Sequence, residues 1–107
     1  MQLNNSLQNS LPKIIFLFFL LLLTSCFDKS ESHLDELIIQ LDSPGASARN
    51  SAILDIGRFG PYAQKAVPKL VLMLNSEKSR GIRTSAAYAL RSIGTKEAIQ
   101  ALDSYKK

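Results

Sequence analysis

Apolar and polar positions along this chain change their spacing three times. Residues 1–13 are mostly polar, and residues 14–23 contain no polar side chain at all. Residues 26–33 are polar again. From Leu34 the apolar residues return at helical spacing: Leu34, Leu37, Ile38 and Leu41 share one face of a helix. Ser32 with Asp35 three residues on predicts a capping box that opens this helix, with Asp in place of Glu. A second helix is predicted from about Ala46, with Ala52, Ile56 and Phe59 on its stripe and Gly60-Pro61 as its stop. A third, over about 63–75, places Val67, Leu70, Val71 and Leu74 inward, broadened by Leu72 and Met73, with Pro68 in its first turn. A fourth runs over about 80–93 with Ala86, Leu90 and Ile93 and stops at Gly94. A fifth, over about 96–105, presents Ala98, Leu102 and Tyr105.

These helical segments repeat. Arg49-x-Ser51-Ala52-x-x-x-Ile56-x-x-Phe59-Gly60 returns as Arg83-x-Ser85-Ala86-x-x-x-Leu90-x-x-Ile93-Gly94, an offset of 34 residues. Leu34-x-x-Leu37-Ile38-x-x-Leu41-Asp42-Ser43 returns as Val67-x-x-Leu70-Val71-x-x-Leu74-Asn75-Ser76, an offset of 33. Two interleaved helical patterns with nearly one period mark a helical solenoid. Amphipathic helices match one another at apolar positions by chance, but not at the Arg, the Ser-Ala pair and the terminal Gly as well. The predicted fold is all-α: a short solenoid of about two and a half helix pairs, too few for each to be covered on both sides. The leading helix carries Ile38 and Ile39, so that end is expected to stack on a partner protein, on another copy or on a membrane surface.

The apolar run over residues 14–23 spans about 15 Å as a helix, half of a bilayer's hydrocarbon core. That is the length of a signal-peptide core, and an uncleaved anchor helix, the competing reading, needs roughly 17 residues. Lys13 precedes the run and Leu23-Thr24-Ser25-Cys26 closes it. This tetrapeptide resembles the lipobox of bacterial lipoproteins: an aliphatic residue, two small residues and a cysteine. The resemblance implies diacylglycerol on the Cys26 sulfur, cleavage between Ser25 and Cys26, and in many bacteria acylation of the new amino group. Two acyl chains, at about 0.8 kcal/mol per buried CH₂, hold a protein on a membrane by more than about 20 kcal/mol. The expected organisation is a signal peptide (1–25), a lipidated cysteine with a polar tether (26–33) and a repeat domain (34–107). The protein is then exported and lipid-anchored to a bacterial membrane, with the choice of inner or outer membrane left open.

The repeat resembles the short HEAT-like type, including that of the phycobilin lyases. The resemblance is carried by Ile56-Gly57-Arg58-Phe59-Gly60-Pro61 and by Ala66-Val67-Pro68-Lys69-Leu70, which match the family's junction between paired helices. It extends over residues 34–105. Arg49 and Arg83 fall at the family's basic position, where they either line a ligand ridge or, the favoured reading, form a structural ladder with acidic groups such as Asp42 and Glu77. The resemblance implies a small protein–protein interaction module at the bacterial envelope. The alternatives are an enzyme or accessory subunit of phycobilin-lyase type, and a structural envelope lipoprotein without a specific ligand.

Charge and candidate chemistry narrow this further. The formal net charge is +4, with 13 basic and 9 acidic residues. Lys13 alone falls in residues 1–25, so the remainder stands at +3, mixed in sign along the chain. That distribution offers no basic stripe for nucleic acid. The single cysteine excludes an internal disulfide. His33 has no cluster at metal-ligand spacing. Ser25, Ser51 and Ser85 lack a histidine partner, and Asp55 and Glu97 are isolated carboxylates. The expectation is therefore no enzyme activity, no metal and no cofactor beyond the lipid on Cys26. Tyr62, Tyr88 and Tyr105 are candidate interface anchors, with Tyr105 favoured as a cap over the last helix.

Overall fold

The computed structural model describes the backbone of residues 2–106 and the side chains of residues 12–20 and 30–106. Among these every regular element is helical: α1 (Gln2–Gln40), α2 (Ala46–Arg58), a 3₁₀ segment (Gly60–Ala66), α3 (Val67–Ser76), α4 (Arg80–Ile93) and α5 (Lys96–Tyr105). The chain divides into two compact units, Met1–His33 and Leu34–Lys107.

In the first unit, Ile14, Ile15, Phe16, Leu17, Phe18, Phe19 and Leu20 are each at least 46% exposed. Consecutive helical residues turn by about 100°, so the apolar surface covers every side of that stretch. Among the described residues no helix is long and apolar enough to cross a membrane. The start predicted at Ser32 is corrected: Ser32 and Asp35 lie inside α1. No proline or glycine occurs between Pro12 and Pro44, so nothing in the local chemistry interrupts a helix before the turn that follows Gln40.

The second unit is built on one apolar core. Leu34, Leu37 and Leu41 join Ile53, Ile56, Leu70, Leu74, Leu90, Ile93 and Leu102, all at most 6% exposed, and no polar or charged described residue is buried with them. α2 and α4 lie side by side in one layer, α3 and α5 in the other, and α4 also packs against α3. Because α4 has neighbours on several sides, its buried stripe is wider than one helix face: Ile82 and Ala89 are buried beside the expected Ala86, Leu90 and Ile93. Ile53 on α2 is fully buried for the same reason. Leu72, by contrast, is 62% exposed, while Met73 beside it is buried.

The helix expected over 63–75 is corrected to a 3₁₀ segment followed by α3 from Val67, with a kink at Ala63 (φ −89°, ψ 21°). Pro61 and Pro68 explain it. Neither can donate a backbone N–H, and Pro68 collides with the carbonyl an α-helix would place four residues earlier, so the α-helix starts at its first turn and the preceding residues tighten. Gly60 (φ 57°) and Gly94 (φ 67°) take the left-handed conformation that ends α2's turn and α4 at equivalent repeat positions. Ser79 and Thr95 open α4 and α5, their side-chain oxygens accepting from the amides of Ile82 and Ala98. Close approach of α2 and α4 occurs at Gly57, where an added Cβ would touch Ala89 Cα at 3.4 Å and Ser92 Cβ at 3.8 Å.

Candidate interaction surface

The 34-residue repeat is visible as a repeated side-chain geometry. Near the start of α2, Arg49 Nη1 donates to the carbonyls of Ser43 (2.9 Å) and Pro44 (3.0 Å). Near the start of α4, Arg83 Nη1 donates to the carbonyls of Glu77 (2.7 Å) and Lys78 (2.9 Å). Each arginine thus closes the loop that precedes its own helix by reaching back six and five residues. Loop carbonyls just before a helix have no helical donor to satisfy them, and a guanidinium with several N–H groups in one plane serves two at once.

Arg49 does more. Its Nε lies 3.0 Å from Glu77 Oε1, and its Nη2 donates to Oε2 at 3.4 Å. The Nε contact is off the hydrogen-bond axis, so it is ionic; the directed bond is the one from Nη2. Glu77 belongs to the turn before α4, so the pair ties one repeat to the next, with both side chains less than one fifth exposed. The ladder reading holds for Arg49 and Glu77. It is corrected for Asp42, which pairs with Lys69 of α3 at 2.5 Å, while Asp35 pairs with Lys65 at 2.6 Å. Arg83, among the described residues, meets carbonyls and no carboxylate.

One cross-repeat contact had no sequence signal beyond position. Ser85 Oγ donates to Asn50 Oδ1 at 2.5 Å, linking α4 to α2. Serine and asparagine at helix starts read equally well as solvated residues, so only the packing of the two helices reveals the bond.

Shallow hollows mark the described surface of this unit. Leu54, Gly57, Arg58, Tyr88 and Ser92 line one, where the small Gly57 leaves space beside an outward-facing Tyr88. A second lies between the starts of α2 and α4, lined by Asn50, Ser79, Gly81 and Ser85 among others. A third, of about 220 Å³, is formed by Arg80, Arg83, Thr84, Ala87 and Tyr105. Tyr105 is 47% exposed and walls this hollow, and Tyr62 is 84% exposed on the 3₁₀ segment.

Leu23, Thr24, Ser25 and Cys26 lie outside the residues whose side chains are described. His33 is exposed at the end of the first unit. Among the described residues no three His, Cys, Asp or Glu side chains gather as a metal site would require. Asp55 pairs with Arg58 on its own helix at 3.3 Å, and Glu97 sits in the first turn of α5, where a carboxylate favours the helix dipole.

Paired helices, an offset of 34 residues and an arginine rung carried between repeats define an α-solenoid. Residues 34–105 match the family described as HEAT repeats, and the chain belongs to that family. No match was found among curated proteins or among solved structures. HEAT repeats generally mediate protein–protein interaction.

Proposed function

We propose that this protein is a lipid-anchored interaction module of a bacterial envelope, its HEAT repeats holding another protein close to the membrane to which Cys26 is attached. The observation that carries the anchor is the run from Ile14 to Leu20. Large apolar side chains point outward on every side of that helix, next to Leu23-Thr24-Ser25-Cys26. Water does not favour such a surface, and a lipid or a translocation channel does. The same run is too short for a spanning helix, which makes a covalent lipid the source of lasting attachment.

The protein-binding half rests on the repeat unit. Its hollows are shallow and its candidate side chains are arginines and tyrosines, the residue types that anchor protein interfaces. In this reading the chain catalyses no reaction and takes no metal or cofactor other than its own acyl chains. Membrane fractionation tests both halves together with in-cell crosslinking. Wild-type protein is expected in the membrane fraction, crosslinked to one dominant protein, and Cys26→Ser in the soluble fraction or in the uncleaved precursor. A wild-type chain that fractionates as soluble overturns the anchor; crosslinks spread evenly over many proteins overturn the specific module.

A further inference from the structure

We infer that the outer edge of Arg83 is a docking point for a carboxylate of an acidic protein segment, seated in the hollow formed with Arg80, Thr84, Ala87 and Tyr105. This deepens the interaction reading given above and rests on its protein-binding half alone, not on the lipid anchor.

The template lies one repeat earlier. Arg49 uses Nη1 to hold two loop carbonyls and turns its other edge to the carboxylate of Glu77. Arg83 performs the first task in the same way, at the equivalent carbonyls. Its Nε–Nη2 edge meets no carboxylate among the described residues. Since the Nη1 bonds already fix the guanidinium, a carboxylate arriving at that edge orders little that is not ordered already.

The occupant is not another stacked helix. The offset of 34 residues sets Arg91 at the place of Gly57 and Ala87 at the place of Ile53. At Gly57 an added Cβ would already touch Ala89 of α4; an exposed arginine at the equivalent point of α4 blocks an equally close approach by a further helix. Ala87 has the opposite effect, because an alanine in place of isoleucine leaves room for a guest side chain beside the two arginines. Among the described residues no acidic side chain lines the hollow. Two guanidinium groups, a threonine hydroxyl and a tyrosine around a small depression suit a glutamate or aspartate on an extended segment.

The test uses the full-length chain in detergent micelles and a fluorescein-labelled peptide of alternating glutamate and glycine, followed by anisotropy. A lysine–glycine peptide is the comparison probe. Saturable binding of the glutamate peptide is expected, weakened about tenfold or more in Arg83→Met, as the loss of a charge-assisted bond implies. Ala87→Glu, which supplies a carboxylate from the protein itself, is expected to abolish binding while both arginines remain. Arg49→Met, whose edge is already occupied, is expected to bind as wild type. Wild-type affinity in a folded Ala87→Glu or Arg83→Met protein overturns the inference, and so does equal binding of the lysine–glycine peptide. A wild-type chain that binds the peptide but is found to carry no lipid leaves the docking point standing and overturns the anchor alone.

Discussion

Arg49 on α2 and Glu77 in the turn before α4 meet across the repeat boundary, with Nε 3.0 Å from Oε1 and both side chains mostly shielded from water. The contact joins two segments that the chain itself separates by a full helix. Its removal is felt unequally from the two sides. Glu77→Gln is expected to lower the unfolding free energy by about 1 kcal/mol, as for a partly exposed ion pair. Arg49→Met also strips the Ser43 and Pro44 carbonyls of their donor and is expected to cost about 1–3 kcal/mol. Urea denaturation of both single variants and the double variant checks this; strictly additive losses would show that the two side chains do not couple.

Gly57 separates two effects that usually act together. An alanine Cβ there falls at 3.4 Å from Ala89 Cα, an ordinary van der Waals contact, while the helix interior gains roughly 0.5–1 kcal/mol from losing glycine's freedom. Gly57→Ala is therefore expected to leave stability unchanged or raise it. Gly57→Leu has to push α2 and α4 apart and is expected to lose about 1–3 kcal/mol. Thermal melts of the pair decide it, and a Gly57→Ala variant that melts well below wild type refutes the spacing.

Ile53 and Leu72 exchange the roles that simple periodicity assigns them. Ile53 is completely buried and Leu72 is 62% exposed. Ile53→Ala is expected to cost about 2–5 kcal/mol, whereas Leu72→Ser should stay within about 0.5 kcal/mol of wild type. Equal losses in chemical denaturation would contradict the assigned faces.

The side-chain oxygen of Gln64 is buried in the 3₁₀ segment without a hydrogen-bond partner among the described residues. An unsatisfied acceptor of this kind costs about 1–3 kcal/mol, so Gln64→Met, similar in length and free of polar atoms, is expected to raise stability by about 1 kcal/mol. A lower melting temperature for that variant refutes this.

What could be read from the residues in order, and what could not, follows from the range of each interaction. The paired helical segments after Leu34, the arginines at 49 and 83 and the glycine stops at Gly60 and Gly94 repeat with the period, so the sequence carries them twice. Ile53, Ile82 and Ala89 lie beside the stripe that one period draws, and they are buried because α2 and α4 each meet more than one neighbour. The 3₁₀ segment differs from an α-helix by only a fraction of a residue per turn, too little for seven residues to reveal. At Ser32 a sound capping pattern was overridden by a helix already running through it, since a cap stabilises an end but does not create one. The partner of Asp42 was missed because both Arg and Lys satisfy an aspartate, and only the packing of α3 brings Lys69 to it.

The proposed function rests on attachment of lipid at Cys26. Metabolic labelling with an alkynyl fatty acid in a bacterium that makes lipoproteins, followed by fluorophore coupling and gel analysis, measures it directly. Wild-type protein should carry the label and Cys26→Ser should carry none. A wild-type chain that accumulates unlabelled, or a Cys26→Ser chain labelled to the same extent, contradicts the anchor.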